Sequence, residues 1–189
     1  MEIIMSVNFS LILPCYNEEK NIFFIWKEFI KLPIKNYIVE LILVNNGSSD
    51  KTEHEINKIK KNNKFKKIII KTINLKNNQG YGGGIYAGLK KAKGDFIGWS
   101  HADLQTPLID FVKLYKLIKD EKEILGKGFR INNRDFDGII SHFHESLASL
   151  ILGVKMREIN AQPKIFNRSL LKYFTNIPNH WTTLDTYIV

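Results

Sequence analysis

What most restricts the fold of this chain is an alternation of short, nearly unbroken apolar runs with segments of helical period. Asn8 to Pro14, Tyr37 to Val44, Lys67 to Leu75 and the run starting at Phe96 all have strand length. A strand that is apolar on both faces has to be covered on both. Between these runs, Ile22, Phe23, Ile25, Trp26, Phe29 and Ile30 recur at helical spacing, as do Ile56 and Ile59, and then the apolar residues of Leu108 to Lys119. Strands alternating with helices in this way predict an α/β fold, a mostly parallel central sheet flanked by helices.

Local chemistry suggests the boundaries. Asn17 is placed to cap the first helix, with Glu18 and Glu19 at the positive end of its dipole, and Leu32-Pro33 ends it. Asp50 and Glu53 have the spacing of a capping box for the second helix. Thr106-Pro107 reads as a cap followed by proline at the first helical position. Asn45 and Asn46, at the end of the second run, either make a turn or offer amides to a base edge. The glycine-rich start Tyr81 to Leu89 follows a loop at Lys76 to Gly80; it serves either close helix packing or an anion at bare amides. Further on, Glu123 to Arg130 reads as a strand, Asn132 to Gly138 as a polar loop, and Ile139 to Leu152 as a helix. His142 and His144 on that helix are two apart and fall on different faces, so they do not share a metal. Met156 to Arg168 is a strand-like mix, followed by a short helix from Ser169.

With 189 residues, 44% of them hydrophobic and 25% charged, the chain is most economically one domain with a three-layer core. It lacks an apolar run of spanning length, and Met1 to Met5 has no secretory pattern, so the expected address is cytoplasmic. The net charge of +9 comes largely from lysines scattered among asparagines, such as Lys58, Lys60, Lys61, Lys64, Lys66 and Lys67. No nucleic-acid-binding signature accompanies it, so nucleic acid is not an expected partner. Loose, peripheral attraction to acidic headgroups at the inner face of a membrane is compatible with that charge. The single Cys15 excludes an internal disulfide and a cysteine-rich zinc site, and at a strand end it reads as a small buried thiol.

The chemistry concentrates where the fourth run turns polar: Trp99-Ser100-His101-Ala102-Asp103-Leu104-Gln105-Thr106-Pro107. If this segment stays extended, His101, Asp103 and Gln105 point to one side. The oxygens of Asp103 and Gln105 suit Mg²⁺ or Mn²⁺ holding a diphosphate. His101 either adds a nitrogen, which suits Mn²⁺ better than Mg²⁺, or faces away from any ion. The bland alternative makes Asp103 the start of a surface loop.

Leu11 to Asn21, Leu41 to Thr52 and Gln79 to Pro107, with Pro14-Cys15-Tyr16-Asn17-Glu18 and Asp103-Leu104-Gln105 among them, together resemble the nucleotide-sugar glycosyltransferases of family 2. Within that family the resemblance is to the dolichyl- and polyprenyl-phosphate sugar transferases. It implies a three-layer, A-type glycosyltransferase fold over a single domain, residues 1–189, short of the family's usual C-terminal end. It also implies a UDP- or GDP-sugar donor, a polyprenyl-phosphate or saccharide acceptor, inversion at the sugar, and assistance from Mg²⁺ or Mn²⁺. Carried over by position, the resemblance assigns Pro14, Tyr16, Glu18, Asn45, Asn46, Asp50, Gly80, Tyr81, Ala102 and Asp103 to the nucleotide-sugar. Asp103, Gln105 and His101 are then the metal set, Arg130 lies near phosphate, and Arg134 and Gln162 lie near the acceptor. For a hydroxyl acceptor, Asp137 and Glu158 are the candidate bases. His101 stands in place of the family's first metal aspartate, Asn45-Asn46 in place of paired aspartates, and Asp137 where the lipid-phosphate enzymes carry arginine. A second reading follows from His101: a catalytically weak relative that binds nucleotide-sugars and acts through a partner. A nucleotidyltransferase ranks lowest, because Leu13 to Glu18 is acidic where a triphosphate loop needs glycine and lysine.

Overall fold

The computed structural model describes residues 6–129 and 161–174. Its strands are β1 (Phe9–Cys15), β2 (Val39–Asn46), β3 (Ile68–Leu75), β4 (Phe96–Trp99), β5 (Leu125–Lys127) and β6 (Lys164–Asn167), in one sheet of order β3-β2-β1-β4-β6-β5. The first four run parallel, and β6 lies antiparallel between β4 and β5. The helices are α1 (Ile22–Phe29), α2 (Thr52–Lys61), α3 (Gly80–Leu89) and α4 (Leu108–Ile118), with a 3₁₀ turn at Arg168–Tyr173.

The apolar runs fold as their composition requires. Every residue of β1 and of β2 is buried, whereas the edge strand β3 exposes Ile69 between buried Ile68 and Ile70. The period of two sorts the side chains of β1 between two layers. Phe9, Leu11, Leu13 and Cys15 join Ile22, Ile25 and Phe29 of α1, Ile56 and Ile59 of α2, and Leu108, Phe111 and Val112 of α4. Ile12 faces the other way, with Ile85 and Leu89 of α3 and with Trp99 and Phe166. Burying Ile22, Ile25 and Phe29 completely contributes roughly 1.5–3 kcal/mol each and holds α1 on the sheet.

The glycines of α3 turn out to serve packing. A Cβ at Gly84 would lie 2.9 Å from Cβ of Pro14, and one at Gly88 would lie 2.4 Å from Cγ2 of Ile12. One turn apart, these two residues let the helix settle onto the ends of β1 and β2.

From β1 the sheet grows outward through β2 and β3, and the chain then returns to place β4 on the opposite flank of β1. The order therefore reverses at β1, and a crevice opens beyond the carboxyl ends of β1 and β4, where open α/β sheets bind ligands. The opposite end of the sheet is closed by a polar lock. Buried Glu40 accepts from Ser10 Oγ at 2.6 Å and from the Lys93 amide at 2.8 Å, and pairs with Lys71.

Three expected boundaries shift. Asn17 does not cap α1: its backbone is left-handed, with φ of 56°, and α1 starts at Ile22. Pro107 precedes α4 in extended conformation, so Thr106 is not its cap. Asp50 and Glu53 form no capping box, because the Glu53 carboxylate accepts from Asn74 Nδ2 at 2.7 Å on β3. Arg130, Arg134, Asp137 and Glu158 lie outside the described residues, as do the loop at 132–138 and the helix at 139–152.

Candidate active site

Pro14, Tyr16, Glu18, Asn46, Asn78, Gly80, Tyr81, His101, Ala102 and Asp103 line a single cleft of about 250 Å³. They come from four places in the chain, all at the carboxyl edge of the sheet: the end of β1, the end of β2, the start of α3, and the segment leaving β4. Asp103 thus shares its cleft with Tyr16, Asn46 and Gly80.

The first wall is an interlocked pair of loops. The Asn17 amide donates to Ser48 Oγ at 3.1 Å, and the Ser49 amide donates back to Asn17 Oδ1 at 2.9 Å. The Glu18 amide donates to Thr52 Oγ1 at 2.8 Å, while that hydroxyl donates to Asp50 Oδ1 at 2.5 Å. The Glu19 amide donates to Asp50 Oδ2 at 3.1 Å, and the Lys51 amide to Glu19 Oε2 at 2.9 Å. Both oxygens of Asp50 are therefore engaged, and Asp50 is not among the residues lining the cleft. Burial alone would raise its pKa, but the hydroxyl and amide of Thr52 and the amide of Glu19 outweigh that and hold the carboxyl below the usual carboxylate range. Asp50 is a strut between the two loops. Glu18 does reach the cleft, and its Oε2 accepts from Asn21 Nδ2 at 2.6 Å.

Behind this wall lies Cys15, fully buried, its thiol donating to the Leu13 carbonyl at 3.3 Å. Burial first, and then the nearby Glu18 charge, push the thiol far above its ordinary value. It stays protonated and is no nucleophile.

At the end of β2 the two asparagines diverge. Asn45 Oδ1 accepts from the Ser48 amide at 3.2 Å and makes the turn, and Asn45 does not line the cleft. Asn46 does, but its carboxamide is committed to the α3 loop: Oδ1 accepts from the Gln79 amide at 3.0 Å, and Nδ2 donates to the Gly80 carbonyl at 2.9 Å and to Asn78 Oδ1 at 3.2 Å. Asn78 Oδ1 also accepts from the Gly80 amide at 2.8 Å. In the sequence Asn78 belongs to the loop at Lys76 to Gly80, and its one signal is a run of amide side chains just before a glycine-rich helix start.

The second wall is the segment after β4. It does not stay extended: Leu104 is left-handed, with φ of 60°, and the Gln105 amide donates to Asp103 Oδ1 at 3.0 Å. That turn breaks the period of two, so His101 and Asp103 line the cleft while exposed Gln105 does not. The His101 imidazole stacks on the Tyr81 ring, with centroids 5.0 Å apart and planes 23° apart. A stacked ring keeps both nitrogens at its edge. Ala102 between them is buried and adds only a methyl group, which leaves the floor of the cleft open.

As a metal set, one carboxylate and one imidazole are too few to hold an ion unaided. Among the described residues there is no group of three or more His, Cys, Asp or Glu that could do so. The pair fits a borderline divalent ion that draws its other ligands from a bound diphosphate and water. Gln162, expected near the acceptor, is not a lining residue. Gln162 stands two residues before β6, and a Cβ at Gly128, just after β5, would lie 2.3 Å from its carbonyl oxygen.

Comparison with known proteins gives a consistent picture. The model of glycosyl transferase family 2 matches residues 10–178. The chain is 31% identical over 161 residues to the dolichyl-phosphate beta-glucosyltransferase ALG5D of Trichomonas vaginalis, covering 80% of this chain and 47% of that protein. It is 35% identical over 102 residues to the prophage bactoprenol glucosyl transferase homolog of Escherichia coli, covering 52% of this chain and 31% of that one. It thus spans less than half the length of these curated relatives. Among solved structures, the mannosyltransferase PcManGT from Pyrobaculum calidifontis, in complex with GDP-Man and Mn²⁺, superposes with a TM-score of 0.69 at 16% identity, over 98% of this chain and 51% of that one. The shared three-layer architecture is the fold of the A-type glycosyltransferases.

Proposed function

The chain belongs to glycosyl transferase family 2, and from that premise we propose that it moves a sugar from a UDP- or GDP-linked donor to a polyprenyl phosphate, inverting the anomeric centre. What carries this reading is the convergence of Pro14, Tyr16 and Glu18 from β1, Asn46 from β2, Gly80 and Tyr81 from α3, and His101 and Asp103 after β4 on one cleft. The relatives named for dolichyl-phosphate and bactoprenol support the acceptor class.

In this proposal the nucleotide enters between Tyr16 and the start of α3. Tyr16 is 48% exposed at the rim and offers a ring face to a base. Asp103 and His101 hold a divalent ion, Mn²⁺ in preference to Mg²⁺ because one ligand is an imidazole. When bound, that ion supplies positive charge against the charge gathering on the departing diphosphate. Tyr81 keeps the His101 ring in one plane, and the Gln105 amide holds one oxygen of Asp103, so both groups meet the donor already oriented. A phosphate acceptor is already ionised near neutral pH and needs no base. We assign Arg130 to phosphate, and Arg134 and Gln162 to the acceptor. If a saccharide hydroxyl replaces the phosphate, Asp137 and Glu158 are our candidates to accept its proton.

The test is incubation of the chain with labelled UDP- and GDP-sugars, a polyprenyl phosphate and Mn²⁺, followed by organic extraction. The expected result is sugar in the lipid phase, dependent on the acceptor. Calorimetry with UDP and GDP runs beside it. Nucleotide binding with no turnover of any donor would favour a binding protein acting through a partner, a reading that His101 in place of a carboxylate motivates. Neither binding nor turnover would sink both.

A further inference from the structure

We propose that the outer face of α1 is a docking surface for an anionic lipid bilayer, an inference that deepens the reading above by orienting its cleft toward a membrane-borne acceptor. Most surface helices bury one stripe and solvate the rest. In α1, Ile22, Ile25 and Phe29 fill the core, yet Phe23 and Phe24 point outward at 55% and 51% exposure. Their rings meet edge to face with centroids 5.6 Å apart, so they form one apolar projection rather than two scattered residues. Farther along the helix, Trp26 makes a similar contact at 6.0 Å with Phe65, which is 47% exposed.

Charge points to the occupant. Lys20, Lys27 and Lys31 are exposed, against one exposed carboxylate of the helix, Glu28. Lys27 lies one turn from both phenylalanines, three and four residues on, and Lys31 follows one turn later. Exposed Lys64, Lys66 and Lys67 surround Phe65. Aromatic rings flanked by lysines are what an acidic headgroup layer accepts: the rings enter the acyl boundary while lysine stems lie along it and keep their ammonium groups among phosphates. A second copy of the chain fits less well, since pairing this face with itself would set lysine against lysine on molecules that each carry +9.

Position gives the surface a use. α1 opens four residues after Glu18, which lines the cleft, and Phe23 and Phe24 lie in its first turn. Docking through them brings the carboxyl edge of the sheet, with Tyr16 at its rim, to the headgroup layer, where the phosphate of a polyprenyl phosphate sits.

Vesicle flotation tests this directly, with the chain mixed with phosphatidylcholine vesicles or with vesicles that are about a third phosphatidylglycerol. The chain is expected to float with the anionic vesicles, less so as salt rises, and hardly at all with neutral ones. The double variant F23S/F24S should bind about tenfold or more weakly. The triple variant Lys20→Gln, Lys27→Gln, Lys31→Gln should weaken binding and flatten its salt dependence. Both should keep the wild-type circular dichroism, melting temperature and affinity for free nucleotide. The proposal is overturned if the wild type stays out of anionic vesicles, or if F23S/F24S floats as well as the wild type. It is equally overturned if light scattering shows a dimer that only this variant disrupts. Flotation without donor binding would strike the transferase reading and leave this one standing; donor turnover without flotation would do the reverse.

Discussion

The cleft has one wall that is closed on itself and one that is open. Between the loops after β1 and β2, the amides of Asn17, Glu18, Glu19, Ser49 and Lys51 each donate to a side chain of the facing loop, and the Thr52 hydroxyl both accepts and donates. Between β4 and α4, contacts among the described residues include a backbone bond from the Ser100 amide to Ile12, one short-range bond from the Gln105 amide to Asp103 and the stack of His101 on Tyr81. Interlocked polar groups hold a shape at no further entropic cost when a ligand arrives, but they have little left to offer it. Among the described residues, the second wall leaves one oxygen of Asp103 and the edge nitrogens of His101 without a hydrogen-bond partner. The contrast separates the residues that shape the cleft from those our proposal gives a role in it.

The largest expected effect breaks the open wall. Asp103→Asn should lower transfer by roughly 10²–10³-fold, a typical loss for one preorganised electrostatic group. Its melting temperature should stay close to that of the wild type, because Asp103 is exposed and among the described residues bonds only to the nearby Gln105 amide. Activity within a few-fold of the wild type would move the chemistry to another part of the molecule. Next, His101→Asp restores an oxygen ligand and should shift the ratio of Mg²⁺ to Mn²⁺ affinity toward Mg²⁺ by about tenfold. Competition against the electron paramagnetic signal of free Mn²⁺ reads this without any turnover.

Damage to the closed wall should have the opposite signature. Asp50→Asn weakens the junction with Thr52 and Glu19 and should cost about 1 kcal/mol, lowering the melting temperature by about 2–4 °C. Nucleotide affinity at a permissive temperature should change little. A tenfold loss of affinity with no loss of stability would mean that Asp50 touches the ligand after all. The smallest effect is in pH. Because the folded state holds the Asp50 carboxyl below its ordinary value of about 4, it favours the ionised form. Its contribution is complete above the unfolded value and is lost as pH falls through the folded one. In denaturant melts, the stability gap between wild type and Asp50→Asn should therefore be constant above about pH 5 and narrow below about pH 4.

These two walls also differ in how far they can be read in advance. The runs that became β1, β2 and β4 and the helical stripes of α1, α2 and α4 follow from local period, so the α/β class was legible. Asp103 and His101 are candidates in the sequence because a polar segment after a buried strand is where such sheets bind ligands, and the structure has both lining the cleft. Gln105 was misplaced, because the left-handed turn at Leu104 cancels the alternation that would have aligned it. Asp50 and Asn45 carry ligand-type groups in the sequence, whereas in the structure they bond Thr52, Glu19 and Ser48 and do not line the cleft. Asn78 was overlooked, because its place in the cleft depends on Asn46, 32 residues away.

By itself, the amino-acid order determined which segments are strands or helices, which faces are apolar, and that a carboxylate and an imidazole stand just past the fourth strand. Burial acts on every residue according to its own side chain and its neighbours' period, so it can be read locally. Only the tertiary structure decided which polar groups are used up and which are left for a ligand. A carboxamide or carboxylate carries the same few hydrogen-bonding sites wherever it stands, and what fills them comes from parts of the chain that the fold alone brings together.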